Sequence, residues 1–143
     1  MASYSALDPV SVAVHTALNV AGLTVLAPGG VGDDIAQFSG YPAVLYEVQE
    51  SNLGGMGTRP GSGKRTLEID VRVHVFSQYA GFYQAQLVMA KCIELLATAP
   101  VVTGYESSAI FHDDTIPLAS EMVAGVRVNE LVGIFRLYVS EAS

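Results

Sequence analysis

The stretch GTRPGSGKRT, residues 57–66, carries the residue types of a phosphate-binding loop, because closely spaced glycines precede a lysine. A P-loop requires the pattern G-x-x-x-x-G-K-[ST] and a helix directly after it, whose N-terminal amides complete the phosphate cradle. Counted back from Gly63 and Lys64, the first glycine position holds Thr58, and the magnesium-binding hydroxyl position holds Arg65. The residues that follow alternate as a strand does. Spacing, chemistry and context therefore all argue against a nucleotide site.

A second group that could do chemistry is His112-Asp113-Asp114, since imidazole and carboxylate groups can bind a metal or transfer protons. Adjacent residues of a strand point to opposite sides, and the sequence offers no second His-x-Asp group to complete a metal shell. A turn with solvated acids is the favoured interpretation. The alternative is a small enzyme that uses these three residues, and it requires them to converge in one pocket.

The remaining candidates are isolated residues. His15 lies among the apolar positions of a predicted helix and His74 on a predicted strand, so structural roles are favoured for both. Cys92 has no histidine nearby in the sequence to act as its base, which favours a buried hydrophobic role. As the single cysteine, it also excludes an intrachain disulfide and a multi-cysteine zinc site. The sequence therefore predicts no catalytic residue, cofactor or metal, and a protein that is not an enzyme.

The composition favours a protein that buries apolar surface between subunits as well as within one. Hydrophobic residues make up 50% of the 143 positions and charged residues only 15%. A chain of this length fits one domain, 1–143, around a single core. No segment reaches the ~18 apolar residues of a membrane helix, and the N-terminus has no signal-peptide pattern, so assembly in a cytoplasm is expected.

The charge balance is acidic, with seven Lys and Arg residues against fourteen Asp and Glu residues and a net charge of −7. Such a chain lacks the cations that drive non-specific binding to nucleic acid. Three of its cations, Arg59, Lys64 and Arg65, lie in a glycine-rich loop at 50–65, which is expected to be flexible. A loop of this length is uncommon unless it is functional or disordered. It is either a connector or a segment that orders on a partner, and the clustered cations favour the second interpretation.

The hydrophobic periodicity predicts six elements. Asp8 and Pro9 have the types of an N-cap and a first helical residue, and Gly22 is a candidate end for that helix. Residues 23–42 are predicted to form a loop, and residues 116–125 an irregular connection. The other elements are strands at 43–49, 66–76, 108–112 and 126–139, and a helix over 79–98 that ends before Pro100.

This order, α-β-β-α-β-β, predicts an α+β two-layer sandwich in which a four-stranded, mainly antiparallel sheet carries two helices on one face. The strands at 66–76 and 127–139 are the most apolar, so they are expected to be central, with 43–49 and 108–112 at the edges. The strand at 66–76 alternates between Leu67, Ile69, Val71, Val73 and Val75 on one side and a polar side. The polar side carries the residues predicted to meet another subunit or a channel, namely Glu68, Asp70, Arg72 and His74.

Three segments, together with the element order, resemble the tail terminator family of long-tailed bacteriophages and gene-transfer particles, also called tail completion or neck proteins. The first is YPAVLY at 41–46, a proline-led strand. The second runs from Leu67–Ser77 into Tyr83–Leu96, where VRVHVFSQ and IELL resemble the family's strand-then-helix core. The third is Gly125–Val139, with a closing FRLYV pattern. The similarity covers nearly the whole chain.

The resemblance implies a structural virion protein that forms a homohexameric ring at the head–tail junction. Such a ring terminates the tail tube and joins it to the head connector or head-completion protein, and DNA passes through its channel without specific binding. It also implies that loop 50–65 is an assembly element whose Arg59, Lys64 and Arg65 meet a partner. Another neck or tail component, such as a stopper or a tube-like subunit, is the alternative.

Overall fold

The computed structural model describes residues 2–34, 38–50, 66–79, 81–97, 102, 104–108, 110–118, 120–123 and 125–141. The predicted loop at 51–65, with Arg59, Lys64 and Arg65, lies outside the described residues, as does Pro100. The described helices are α1 (Ala2–Leu18), α2 (Ala21–Thr24) and α3 (Tyr83–Leu96). The described strands are β1 (Val31–Gly32), β2 (Ala43–Glu50), β3 (Thr66–Ser77), β4 (Tyr105–Ser107), β5 (Phe111–Pro117), β6 (Glu121–Val123) and β7 (Val126–Glu141).

The strands form one sheet with β3 and β7 at its centre. Along the sheet the order is β1-β2-β3-β7, and the far edge of β7 pairs with β4, β5 and the short β6. Every pairing is antiparallel except that of β1 with β2. The prediction that the two long apolar strands are central is confirmed, and the structure shows in addition that they pair with each other.

The segments β4, β5 and β6 lie one after another along β7 and together form its outer neighbour. Each connection between successive segments contains one residue more than the stretch of β7 that lies opposite it. Ser107 faces Val139 and Phe111 faces Arg136, so four steps on the outer side match three on β7. A further irregularity falls between His112 and Asp114. Extra residues on one strand are β-bulges, which bend the strand and increase its twist, so the sheet curls at this edge.

One side of the sheet is covered by helices. Helices α1 and α3 contact each other, α1 packs on β2, and α3 packs on β3 and β7. The side chains that meet there form a single buried cluster, which includes Val10, Val14 and Leu18 of α1, Val88, Met89, Cys92 and Leu96 of α3, and Ile69, Val71, Val73, Val75, Phe135 and Leu137 of the central strands. The alternation predicted for residues 69–75 is therefore confirmed, and both long helices lie on this side.

The close approach of α3 to β7 depends on Gly133. A Cβ at this position would lie 2.8 Å from the Met89 sulfur and 2.8 Å from Cε1 of Phe135. Such distances are well inside van der Waals contact, so a larger residue would require the side chains of Met89 and Phe135 to shift.

A buried polar joint fixes the turn between β3 and α3. The Asn129 side-chain amide, 2% exposed, donates to the carbonyl oxygens of Tyr79 (2.8 Å) and Gly81 (2.7 Å). Ser120 donates its hydroxyl to Asn129 Oδ1, and the buried Ser77 donates to Gln84 Oε1 at 2.6 Å. These bonds satisfy carbonyls just before the helix, which begins at Tyr83 and not at residue 79 as predicted.

Two predictions about the helices are wrong. Helix α1 begins at Ala2, so Pro9 lies inside it, although Asp8 and Pro9 have the residue types of a helix start. Proline costs the helix one backbone hydrogen bond, but the turns on either side of it remain paired. The helix ends at Leu18, and Gly22, predicted as its end, lies inside the separate turn α2.

The four-stranded, two-helix sandwich matches the architecture only roughly. The molecule is a mixed helix-and-sheet fold in which six strands share one curled sheet and β6 extends it. The predicted strand at 108–112 is replaced by β4 and β5, and β6 lies within the predicted irregular connection at 116–125. Bulges disrupt the strict alternation that identifies a strand in a sequence, which explains why this edge was predicted poorly.

Candidate functional site

The side of the sheet opposite the helices carries most of the described charged side chains of the strands, and we call it the charged face. All four polar residues predicted on β3 lie on it, because they alternate with the buried positions of that strand. The register adds residues from the neighbouring strands, so that the charged face consists of Glu47, Glu68, Asp70, Arg72, His74, Glu130, Arg136 and Tyr138.

His74 joins the three central strands at one end of the charged face. Its Nδ1 lies 2.5 Å from Glu130 Oε2 of β7, and its Nε2 lies 2.5 Å from Glu47 Oε1 of β2. The imidazole is 15% exposed and Glu130 is 22% exposed, whereas Glu47 is 57% exposed. An imidazolium can donate to both carboxylates at once, whereas a neutral ring can donate to only one. The prediction of a structural His74 agrees with this bridging position.

Arg136 organises the other end of the charged face. Its Nη2 donates to Asp113 Oδ1 at 3.2 Å, its Nη1 lies 3.9 Å from Glu68 Oε1, and its guanidinium carbon lies 5.9 Å from the centre of the Tyr138 ring. The Tyr138 hydroxyl donates to the same Glu68 oxygen at 3.1 Å. Burial, and next the Glu68 charge, raises the pKa of Asp70, and Arg72 acts in the opposite direction.

Arg72 differs from Arg136 in its surroundings. It is exposed, and within the described part of the chain it has no hydrogen bond or ion pair. Its cross-strand neighbours are Glu47 and Ile134, and Glu47 already contacts His74. Among the described residues, Arg72 is thus the cation of the charged face that has no ion-pair partner, and it lies among carboxylates.

The residues that β2 and β7 contribute to the charged face were not predicted from the sequence. Glu47, Glu130, Arg136 and Tyr138 all lie at alternate positions of their strands. Pairing 66–76 with 127–139 in antiparallel register would have placed three of them beside Glu68–His74. The polar positions in a mostly apolar strand were the available signal.

A second surface lies between α1 and β2, and we call it the α1 cleft. It is an open cleft of about 410 Å³ lined by Ser11, Val12, His15, Thr16, Asp33 and Tyr46. The rings of His15 and Tyr46 lie 5.7 Å apart, and His15 Nδ1 is buried without a hydrogen-bond partner among the described residues. Burial, and next the charge of Asp33, raises the pKa of Tyr46.

The three residues of the enzyme alternative do not converge. His112 packs on Phe135 with ring centres 5.1 Å apart, and its Nε2 bonds Thr115 Oγ1 at 2.7 Å. Asp113 instead reaches Arg136 on the charged face. Asp114 accepts a hydrogen bond from the Thr115 amide at 2.8 Å. A bulge between His112 and Asp114 separates their directions. The favoured interpretation was a turn with solvated acids. Both acids are exposed, but the three residues lie in strand β5 and not in a turn.

Cys92 is a residue of α3 whose side chain is fully buried in the core. Burial raises the pKa of its thiol to about 12, so the thiolate is scarce at neutral pH and the residue behaves as a small hydrophobic side chain. Among the described residues no group of three or more His, Cys, Asp or Glu side chains is arranged to hold a metal ion. No helix in the described ranges is long and apolar enough to cross a membrane.

One solved structure is similar over nearly the whole length of both chains. It belongs to the virion of a native gene transfer agent particle, with a TM-score of 0.69 and 17% sequence identity, and the match covers 96% of this chain and 98% of that chain. At this identity the match shows a shared fold. No protein-family model matches the sequence, and no curated protein matches it significantly.

Proposed function

We propose that the protein is a structural component of a phage or gene-transfer virion, forming a ring at the head-proximal end of the tail. There it terminates the tail tube and joins it to the head connector. The observation that carries this proposal is the fold shared with a chain of a gene transfer agent virion, with almost complete coverage on both sides.

The charge distribution supports a position around a DNA channel. The protein carries a net charge of −7, and carboxylates outnumber cations on the charged face. A surface of one charge sign repels a ligand of the same sign, so DNA can move past it without being held. In this proposal the charged face is a subunit contact or a channel lining, and Arg72 is its accessible cation.

The glycine-rich loop is the second assembly element of the proposal. Ordering five glycines costs about 1–2 kcal/mol of backbone entropy per fixed residue, so a partner must offset that cost. Arg59, Lys64 and Arg65 can do so through charge-assisted hydrogen bonds to acidic groups of a neighbouring subunit or of the tail tube. Deletion of residues 54–62 should leave the subunit folded and weaken ring formation or head joining. A normal infectious particle with that deletion would make the loop a mere connector.

The proposal is tested by particles made without this protein. Filled heads and separate tails should accumulate, and adding the purified protein to that mixture should restore joined particles. Joined, infectious particles in its complete absence would contradict the proposal. Immunogold labelling separates the alternatives, because a stopper would label the head opening and a tube subunit would label the tail along its length.

A further inference from the structure

We propose that the hairpin of β6 and β7 in one copy docks into the α1 cleft of the next copy, so that head-to-tail contacts close the ring. This inference rests on the proposed function, because it names the contact between ring subunits. The hairpin tip, defined here as Met122, Gly125, Val126 and Arg127, projects beyond the last β7 residue that pairs with β3, Asn129.

The hairpin tip is apolar and exposed. Met122 is 65% exposed and Val126 is 43% exposed. Gly125 adopts a φ of 81°, the left-handed conformation that a tight hairpin turn requires and that glycine adopts without strain. Met122 and Arg127 are direct cross-strand partners, so their side chains project from the same side of the ribbon. The tip therefore offers a flexible apolar side chain beside a cation.

The α1 cleft offers the complementary pair. Val12 is 65% exposed on its rim and supplies an apolar contact point beside the polar lining of the cleft. Asp33 lines the same cleft, and Asp34 follows it on the surface. Methionine is the side chain best able to fill an irregular apolar opening, since it is unbranched and polarisable. We place Met122 against Val12 and Arg127 beside Asp33.

The positive charge of Arg127 favours a contact with a second copy of the chain. It is exposed and has no ion pair within the described ranges of its own chain. Lys91 and Arg136, by contrast, each contact a carboxylate. On a protein of net charge −7, a neighbouring copy is itself an acidic surface. A cation directed at the acidic rim of a cleft makes the contact specific, because a mismatched approach would bring carboxylates together.

The positions of the two surfaces in the fold suit a closed ring. The hairpin lies on the side of the sheet formed by β4, β5 and β6, and the cleft lies beside β2, toward the opposite side. A contact between unlike surfaces at opposite sides of a subunit is heterologous, and it generates a ring when the rotation closes.

Direct pairing of sheet edges is the competing arrangement. The outer edge of β5 carries Asp113 and Asp114, and on the opposite side of the sheet β2 carries the exposed Glu47 beyond the two residues that pair with β1. Joining these edges would bring carboxylates together, and charged residues on edge strands are a common way to prevent such pairing. The hairpin contact avoids this repulsion.

Disulfide trapping in assembled particles tests the contact. A chain with both Met122→Cys and Val12→Cys should form, after mild oxidation, a ladder of linked subunits on a non-reducing gel, up to the full ring. The matched control combines Met122→Cys with Leu87→Cys, since Leu87 is also exposed but lies on α3 outside the cleft. The control should stay monomeric. A monomeric test chain in intact particles, or an equal ladder from the control, would overturn the proposal.

A charge exchange tests the same contact without cysteines. Arg127→Glu should lower the yield of joined particles by about tenfold or more, because it places a carboxylate against the acidic rim. Arg127→Lys keeps the charge and should remain close to the unaltered protein. Combining Arg127→Glu with Asp33→Arg should restore the yield, since every contact in the ring then carries the exchanged pair. An unaffected Arg127→Glu chain, or a double variant no better than Arg127→Glu alone, would contradict the proposal. Particles that hold a ring but fail both tests would leave the proposed function standing.

Discussion

The two sides of the central strands are built on opposite principles. On the helix side, β3 presents Ile69, Val71, Val73 and Val75, all at 0% exposure. On the charged face, the same strand presents acids, an arginine and a histidine that are exposed or half-buried. Burying an aliphatic side chain is worth about 1.5–3 kcal/mol, whereas an exposed ion pair contributes about 0–1 kcal/mol.

The difference indicates that the residues of the helix side specify the fold, whereas those of the charged face are not needed for it and leave that surface free for contacts with other proteins. The helix side must stay apolar and well packed, because each residue there contributes strongly to the free energy of unfolding. The charged face is held together by weak pairs around His74 and Arg136, so its residues can change with little loss of stability. We expect selection at that face to follow the partner surface rather than the core.

The largest effect is expected at Phe135, which is 1% exposed beneath the helices. Phe135→Ala removes a large buried side chain and leaves a cavity, so it should lower the free energy of unfolding by about 3–5 kcal/mol. Urea denaturation measures the change. The control is Phe76→Ala on the charged face, where the half-buried ring should cost clearly less. Equal losses in the free energy of unfolding would mean that the helix side and the charged face contribute alike to stability.

The buried polar joint comes next. Asn129→Ala removes two hydrogen bonds to the carbonyls of Tyr79 and Gly81 and leaves those groups without their donor. The expected loss is about 1–3 kcal/mol, and hydrogen exchange should speed up at the start of α3. Gln49→Ala, at an exposed position of β2, is the control and should change stability little. Unchanged hydrogen exchange in α3 would show that the hydrogen bonds of Asn129 do not stabilise the start of that helix.

On the charged face we expect stability and assembly to separate at Arg72. Arg72→Glu should lower the free energy of unfolding by no more than about 1 kcal/mol, because the residue is exposed and the new carboxylate adds only like-charge repulsion toward Glu47 and Asp70. The same change should reduce joined particles, since it removes the accessible cation of that surface. Circular dichroism and particle counts measure the two quantities. If the variant is unfolded, Arg72 has a structural role. If joined particles form normally, the charged face only contacts solvent.

The smallest effect is expected at Asp70, where a substitution should raise the free energy of unfolding at neutral pH instead of lowering it. Burial, followed by the Glu68 charge, raises the pKa of Asp70 in the folded protein. Ionisation of a carboxyl with a raised folded pKa opposes folding. That penalty is present above the folded pKa and disappears as the pH falls below the unfolded value of about 3.9. Asp70→Asn should therefore stabilise the protein slightly at pH 7 and leave it unchanged near pH 3, as thermal unfolding at the two pH values would show.

The central strands could be predicted from the sequence because one physical rule governs them. Alternation between buried and polar positions identified β3 and β7, and their apolar content placed them at the centre. The outer edge could not be predicted in the same way, because its bulges shift the alternation between Ser107, His112 and Pro117. Pro9 misled the assignment of the first helix, since a proline near a possible cap usually starts a helix.

The charged face was predicted in part. Local alternation was enough to select Glu68, Asp70, Arg72 and His74 on β3. Their partners on β2 and β7 required the register, which a single sequence does not reveal. The hairpin tip and the α1 cleft were not predicted at all, because a cleft arises where segments distant in sequence meet.

The most direct test of the central claim is an electron cryomicroscopy reconstruction of the head–tail junction in intact particles. We expect one ring of this protein at the head-proximal end of the tail, with the β6–β7 hairpin of each subunit against α1 of the next. Particles whose junction contains no such ring, or in which this protein occupies another part of the virion, would contradict it.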